Sequence, residues 1–177
     1  MGHAILTGEP LIGNEPFAVI LADDLCDCSA NSLLTQMIKI YDQHKCSIVA
    51  IEEVPMNQVH NYGVIDGNLI GNTNDTYRVT NMVEKPQEIN APSNMAIIGR
   101  YILTPDIFNI LKIIKPDKAG EIQITDALLK QAKQGKVIAY KFKGTRFDCG
   151  SIKGYLKATN HYAEKLGLNT VSYTHLR

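Results

Sequence analysis

The chain has 177 residues, 45% of them hydrophobic and 20% charged, with 18 basic and 18 acidic side chains. That length suits one domain with a sizeable core, and the balanced charge offers no field that would recruit nucleic acid or an anionic membrane. No apolar run approaches the roughly 18 residues of a membrane span, and the start lacks the charged-then-apolar pattern of a signal peptide.

The opening MGHAILTGEP reads as a helix with no strand before it. Phe17 to Leu21, FAVIL, is a continuous apolar run, as expected of a strand buried on both faces. After ADDLCD, Ser29 or Asn31 can cap a helix whose Leu33, Leu34, Met37, Ile38 and Tyr41 share one face. CSIVAIEEV is a second apolar strand, and strand–helix–strand predicts a βαβ unit, hence a parallel sheet. In YGVIDGNLIG, Asp66-Gly67 or Gly67-Asn68 predicts a tight hairpin turn between two short strands. YRVTNMVEKP and MAIIGRYILT follow as strands. Thr104 is a candidate cap for a helix with Pro105 in its first turn and an apolar face of Ile107, Phe108, Ile110, Leu111 and Ile114. Thr125 opens another helix, closed by Gly135, and KVIAYKF is a strand. Ser151 begins a last amphipathic helix carrying Ile152, Tyr155, Leu156 and Tyr162, with Gly167 near its end. The end, TVSYTHLR (170–177), fits no periodicity and is expected to be a disordered or non-native tail, which leaves one domain over 1–169.

Several residues have the chemistry for a site, and each also has a plain structural reading. Cys26, Cys28, Cys46 and Cys149 show no zinc-like spacing, and reduced thiols suit a cytoplasmic protein. His3, His44, His60, His161 and His175 show no metal-ligand spacing. Asp23 and Asp24 close an apolar strand, where open α/β sheets bind ligands and where Mg²⁺ takes a carboxylate; Asp24 or Asp27 can equally begin the turn into the next helix. Asp148 in RFDCGS repeats the arrangement before a helix start. Glu84-Lys85-Pro86 is either a solvated strand end or a carboxylate and ammonium facing a sugar phosphate. Gly63 leaves room for a ligand, Ser93 and Asn94 can close a turn or meet sugar hydroxyls, and Glu121 and Asp126 sit near a helix start, where acids are favoured anyway.

The order of GHAIL, PFAVILADD, IEEVP, YGVID, VEKP, APSNMAIIGRYIL, GEIQITDAL and FDCGSIKGY resembles the bacterial UTP–glucose-1-phosphate uridylyltransferases, from Gly2 to about Leu168. The resemblance implies an α/β fold of the nucleotide-diphospho-sugar transferase, Rossmann-like type, with a mixed, mainly parallel sheet. It implies UTP and glucose 1-phosphate as partners, UDP-glucose and pyrophosphate as products, and Mg²⁺ as cofactor. Carried over by motif, Asp23 and Asp148 are the expected metal ligands and, with Lys85, the catalytic set. Glu84 is expected to take glucose hydroxyls, Lys85 the sugar phosphate, and Gly63 and Asn94 the pocket wall. In-line attack on the α-phosphorus then needs positioning and charge neutralisation, and no nucleophilic side chain. The family's glycine-rich G-x-G-T-R loop has no counterpart here. The expectation is a C-terminal portion with little turnover of its own, whose uncovered sheet surface would invite homo-oligomers. A non-catalytic sugar-phosphate module and a thymidylyltransferase using dTTP are the alternative readings.

Overall fold

In the computed structural model, which describes residues 1–29, 31–117 and 119–168, the elements run α1 (Gly2–Thr7), α2 (Glu9–Ile12), β1 (Phe17–Ile20), β2 (Asp24–Asp27), α3 (Leu33–His44), β3 (Ser47–Glu53), β4 (Gly63–Leu69), β5 (Thr76–Glu84), β6 (Met95–Leu103), α4 (Asp106–Leu111), α5 (Ile124–Ala132), β7 (Val137–Lys141), β8 (Thr145–Asp148) and α6 (Ile152–Lys165). The tail expected over 170–177 lies outside these residues.

Six strands form one sheet in the order β1-β6-β3-β7-β5-β4, and β2 pairs with β8 in a separate ribbon. The mixed α/β class holds, but the sheet is not mainly parallel. Among the described residues only β3 and β7 pair in parallel; the other pairings are antiparallel. β1 and β3 do flank a crossover helix, but β6 inserts between them and runs against both. Its apolar run Met95–Leu103 is buried almost throughout, so it can complete a ladder on each side.

Helices cover both faces of the sheet. Val49 and Ile51 of β3 join a core with α4 and α5. Ile48 and Ala50, pointing the other way, join a core with Leu33 and Met37 of α3. β1 departs from the two-sided burial its sequence suggests. It is an edge strand, alternating half-buried and exposed, with Ile20 left 54% accessible.

Four local expectations shift. No hairpin turn forms at Gly67; β4 runs through to Leu69 with a bulge between Asp66 and Gly67. A Cβ on Gly67 would come 2.6 Å from the Arg78 carbonyl oxygen, so glycine there lets the strands approach, and the chain reverses later, around Gly71. Ser32, not Ser29 or Asn31, caps α3 by accepting the Thr35 N–H. Thr104 does not cap α4 with its side chain; its hydroxyl oxygen accepts from Gln131 and is bonded to Ser47 in the sheet. Ser151 does cap α6, accepting from Gly154 N–H, but the apolar residues of that helix point outward: Ile152, Tyr155 and Leu156 are exposed, and only Ala158 is buried. None of the described helices is long and apolar enough to cross a membrane.

Candidate active site

The end of β5 faces the start of β4, where Glu84 is paired with Gly63. The Glu84 Oε2 atom accepts the hydroxyl of Thr125, which sits in the first turn of α5. A Cβ on Gly63 would lie 3.1 Å from both Glu84 Oε2 and Thr125 Oγ1, so the bare glycine makes room for that pair. Lys85 follows with φ at 44°, in the left-handed region that non-glycine residues avoid, and its N–H donates to the Tyr62 carbonyl at 2.9 Å. This backbone places an exposed lysine beside a half-buried glutamate at one lip of a cavity.

The other lip is the ribbon. Asp24 and Asp148 are cross-strand partners, but their roles differ. Asp24 is buried, accepting the Gly99 N–H at 2.7 Å and the Arg146 Nε–H at 2.6 Å. A Cβ on Gly99 would meet Asp24 Oδ2 at 2.9 Å, so this carboxylate occupies space that a larger residue would need. Of the two acids after β1, Asp24 is therefore the structural one. Asp23 and Asp148 are exposed. A Cβ on Gly150 would lie 3.1 Å from Asp148 Oδ1 and 3.3 Å from Asp23 Oδ2, so the two carboxylates border one small space. Gly150 N–H donates to Asp148 Oδ1, and Cys149 N–H donates to the Asp23 carbonyl. The start of α6 nearby adds partial positive charge.

The cavity measures about 300 Å³ and brings Asp23, Asp148, Gly63, Glu84 and Lys85 together on its lining. Asn94 is not among the lining residues; its Nδ2 donates to the Val54 carbonyl at 3.3 Å and braces the end of β3. Ser93 donates to the Ile65 carbonyl. Glu121 is on the wall, while Asp126 is exposed on α5. His161 is hydrogen-bonded to Asp27. The four cysteines are free thiols, and burial pushes Cys26 up to about 11.

Sequence reasoning missed Tyr62, Tyr101, Thr125 and Arg146 as cavity residues. Burial, then the charges of Glu84 and Asp24, holds the Tyr101 phenol above its ordinary range, so it stays protonated. Burial works against the charge on Arg146, but its bonds to Asp24 and Tyr62 and the charges of Asp24 and Glu52 outweigh that, and it stays a cation. Only the proximity of Arg146 to Asp148 in the chain hinted at a role. Among the described residues no three His, Cys, Asp or Glu side chains form a metal cage. Asp23 and Asp148 supply oxygen donors alone. That suits a hard cation that keeps waters and substrate phosphate oxygens as its other ligands, and so fits Mg²⁺.

A family profile described as nucleotidyl transferase matches residues 1–165. A UTP–glucose-1-phosphate uridylyltransferase of Pseudomonas aeruginosa is 62% identical over 167 residues, covering 94% of this chain. The chain spans 59% of that relative's length. Among solved structures, an apo UDP-glucose pyrophosphorylase superposes with a TM-score of 0.89 at 59% identity, over 94% of this chain and 60% of the other. A UDP-glucose pyrophosphorylase complexed with UDP-glucose superposes with a TM-score of 0.88 at 60% identity, over 93% and 62%.

Proposed function

The chain belongs to the nucleotidyl transferase family, and we propose that it carries the sugar-phosphate and metal side of a UTP–glucose-1-phosphate uridylyltransferase. The observation that supports this best is one cavity whose two lips carry different charge. Glu84 and Lys85 stand on one, and Asp23 and Asp148 on the other.

With Oε2 taken by Thr125, Glu84 has Oε1 to accept glucose hydroxyls. Lys85 neutralises the sugar phosphate as a point charge. Asp23 and Asp148 would hold Mg²⁺, which when bound neutralises phosphate charge as pyrophosphate leaves. The sugar phosphate oxygen attacks the α-phosphorus of UTP in line. This chain's residues hold that oxygen in place and balance its charge. No side chain forms a covalent bond to substrate.

Calorimetry of this chain with glucose 1-phosphate, against glucose 6-phosphate as control, tests the reading. We expect binding of the 1-phosphate that is lost in Lys85→Ala and weakened in Glu84→Gln. Equal affinity for both phosphates, or none for either, would overturn it.

A further inference from the structure

Arg146 joins the two lips of the cavity through its side chain, beside the Gly99 N–H that holds Asp24 to β6. Its Nε–H donates to Asp24 Oδ1 at 2.6 Å, inside the β2–β8 ribbon. Its Nη1–H donates to Glu52 Oε1 at 2.6 Å, near the end of β3 in the main sheet. The guanidinium also lies over the Tyr62 ring, 5.2 Å from its centroid. Tyr62 in turn accepts the Lys85 N–H with its backbone carbonyl, and its neighbour Gly63 is paired with Glu84. The Arg146 side chain is 11% exposed. A planar fork with carboxylates on two separate sheets has little freedom to turn.

We propose that Arg146 is a positioning residue that sets the spacing between Asp23 and Asp148 on the ribbon and Glu84 and Lys85 on the main sheet. It does so by bolting the ribbon to Glu52 and to the Tyr62 ring. This rests on the proposed reading of the cavity as a sugar-phosphate and metal site. Asp148 is two residues along β8 from Arg146, so a shift of the arginine carries the acid with it. On the other side, a shift of the Tyr62 ring reaches Lys85 through the carbonyl that holds its strained backbone.

UDP-glucose carries hexose and diphosphate on one molecule, so it meets both lips together only if their spacing is right. The experiment is calorimetric titration of this chain with UDP-glucose, with and without Mn²⁺. In the unsubstituted chain Mn²⁺ should tighten UDP-glucose by about fivefold or more, the lower end of ordinary coupling between two ligands. Glu52→Ala cuts the bolt at the main sheet and leaves Asp24 its buried partner. It should keep UDP-glucose affinity without metal and reduce the Mn²⁺ effect to less than about twofold. Arg146→Lys, which can satisfy one carboxylate but not both, should fall between. A merely structural role would weaken UDP-glucose equally with and without Mn²⁺ and leave their ratio unchanged. A full Mn²⁺ effect in Glu52→Ala, or none in the unsubstituted chain, overturns the inference while the site reading stands. No binding of UDP-glucose or glucose 1-phosphate to the unsubstituted chain overturns the site reading, and the inference with it.

Discussion

Thr125, from the first turn of α5, donates its hydroxyl to Oε2 of Glu84, the last residue of β5. The bond ties a helix start to a strand end and fixes which carboxylate oxygen of Glu84 remains for a ligand. Thr125 is buried, so the bond is sheltered from water, and a bond to an ionised partner is worth roughly 1.5–3 kcal/mol. Thr125→Val keeps the shape and removes the donor. Glucose 1-phosphate should bind roughly tenfold more weakly, because part of that energy orients Glu84. Thr125→Ser should stay within about twofold. Calorimetry on the three chains checks this, and equal loss in Ser and Val would point to packing instead.

Lys85 combines a charge with a left-handed backbone, which costs a non-glycine residue roughly 1–2 kcal/mol. Lys85→Gly should relieve that strain, partly offset by glycine's greater freedom when unfolded, for a net gain of up to about 1 kcal/mol. At this length that is a melting rise of about 2–4 °C. Lys85→Ala should show no such rise. Both should lose glucose 1-phosphate binding. Melting curves and titrations run together would show stability and binding moving in opposite directions in the glycine variant.

The neighbours Asp23 and Asp24 should respond differently to the same change. Asp23→Asn removes an exposed carboxylate facing the space it shares with Asp148. Melting should hold, while Mn²⁺ binding, followed by the electron paramagnetic resonance of the free ion, should weaken roughly tenfold. Asp148→Asn should behave alike. Asp24→Asn instead leaves the Arg146 cation without its buried partner, at a cost of about 3 kcal/mol or more, and should lower the melting temperature markedly. Similar melting for Asp23→Asn and Asp24→Asn would contradict the division of roles.

Acid should loosen α6 from the ribbon. Asp27 accepts hydrogen bonds from Lys165 and His161, and these two bonds, the lysine's first, hold its carboxyl below the ordinary 3.8. The unfolded carboxyl titrates near 3.8 and the folded one below it, so the stabilisation is complete above 3.8 and is lost as pH falls through the folded value. Melting temperatures should fall more steeply below about pH 4 in the unsubstituted chain than in Asp27→Asn. Identical acid limbs would show that α6 is held by its contacts around Phe147 and Tyr162 alone.

Most of the secondary structure was legible in the residues themselves. Apolar runs marked β3, β6 and β7 because each is covered on both faces, and Gly135 and Gly167 marked helix ends because both take left-handed φ. The VEKP stretch marked a strand end with charge, and acids after two strands marked Asp23 and Asp148. Periodicity reports that a face is buried, but not what buries it. So it pointed to a parallel sheet where β6 intervenes, a two-sided β1 where one face is open, and an inward apolar face on α6 where those residues are exposed. Asp23 and Asp24 carry the same side chain, and only the Gly99 backbone and the Arg146 guanidinium decide which of them is buried. Arg146 meets Asp24 across 122 positions of the chain and Glu52 across 94. Contacts over such distances leave no local pattern, because they come from two sheets that tertiary packing alone brings together.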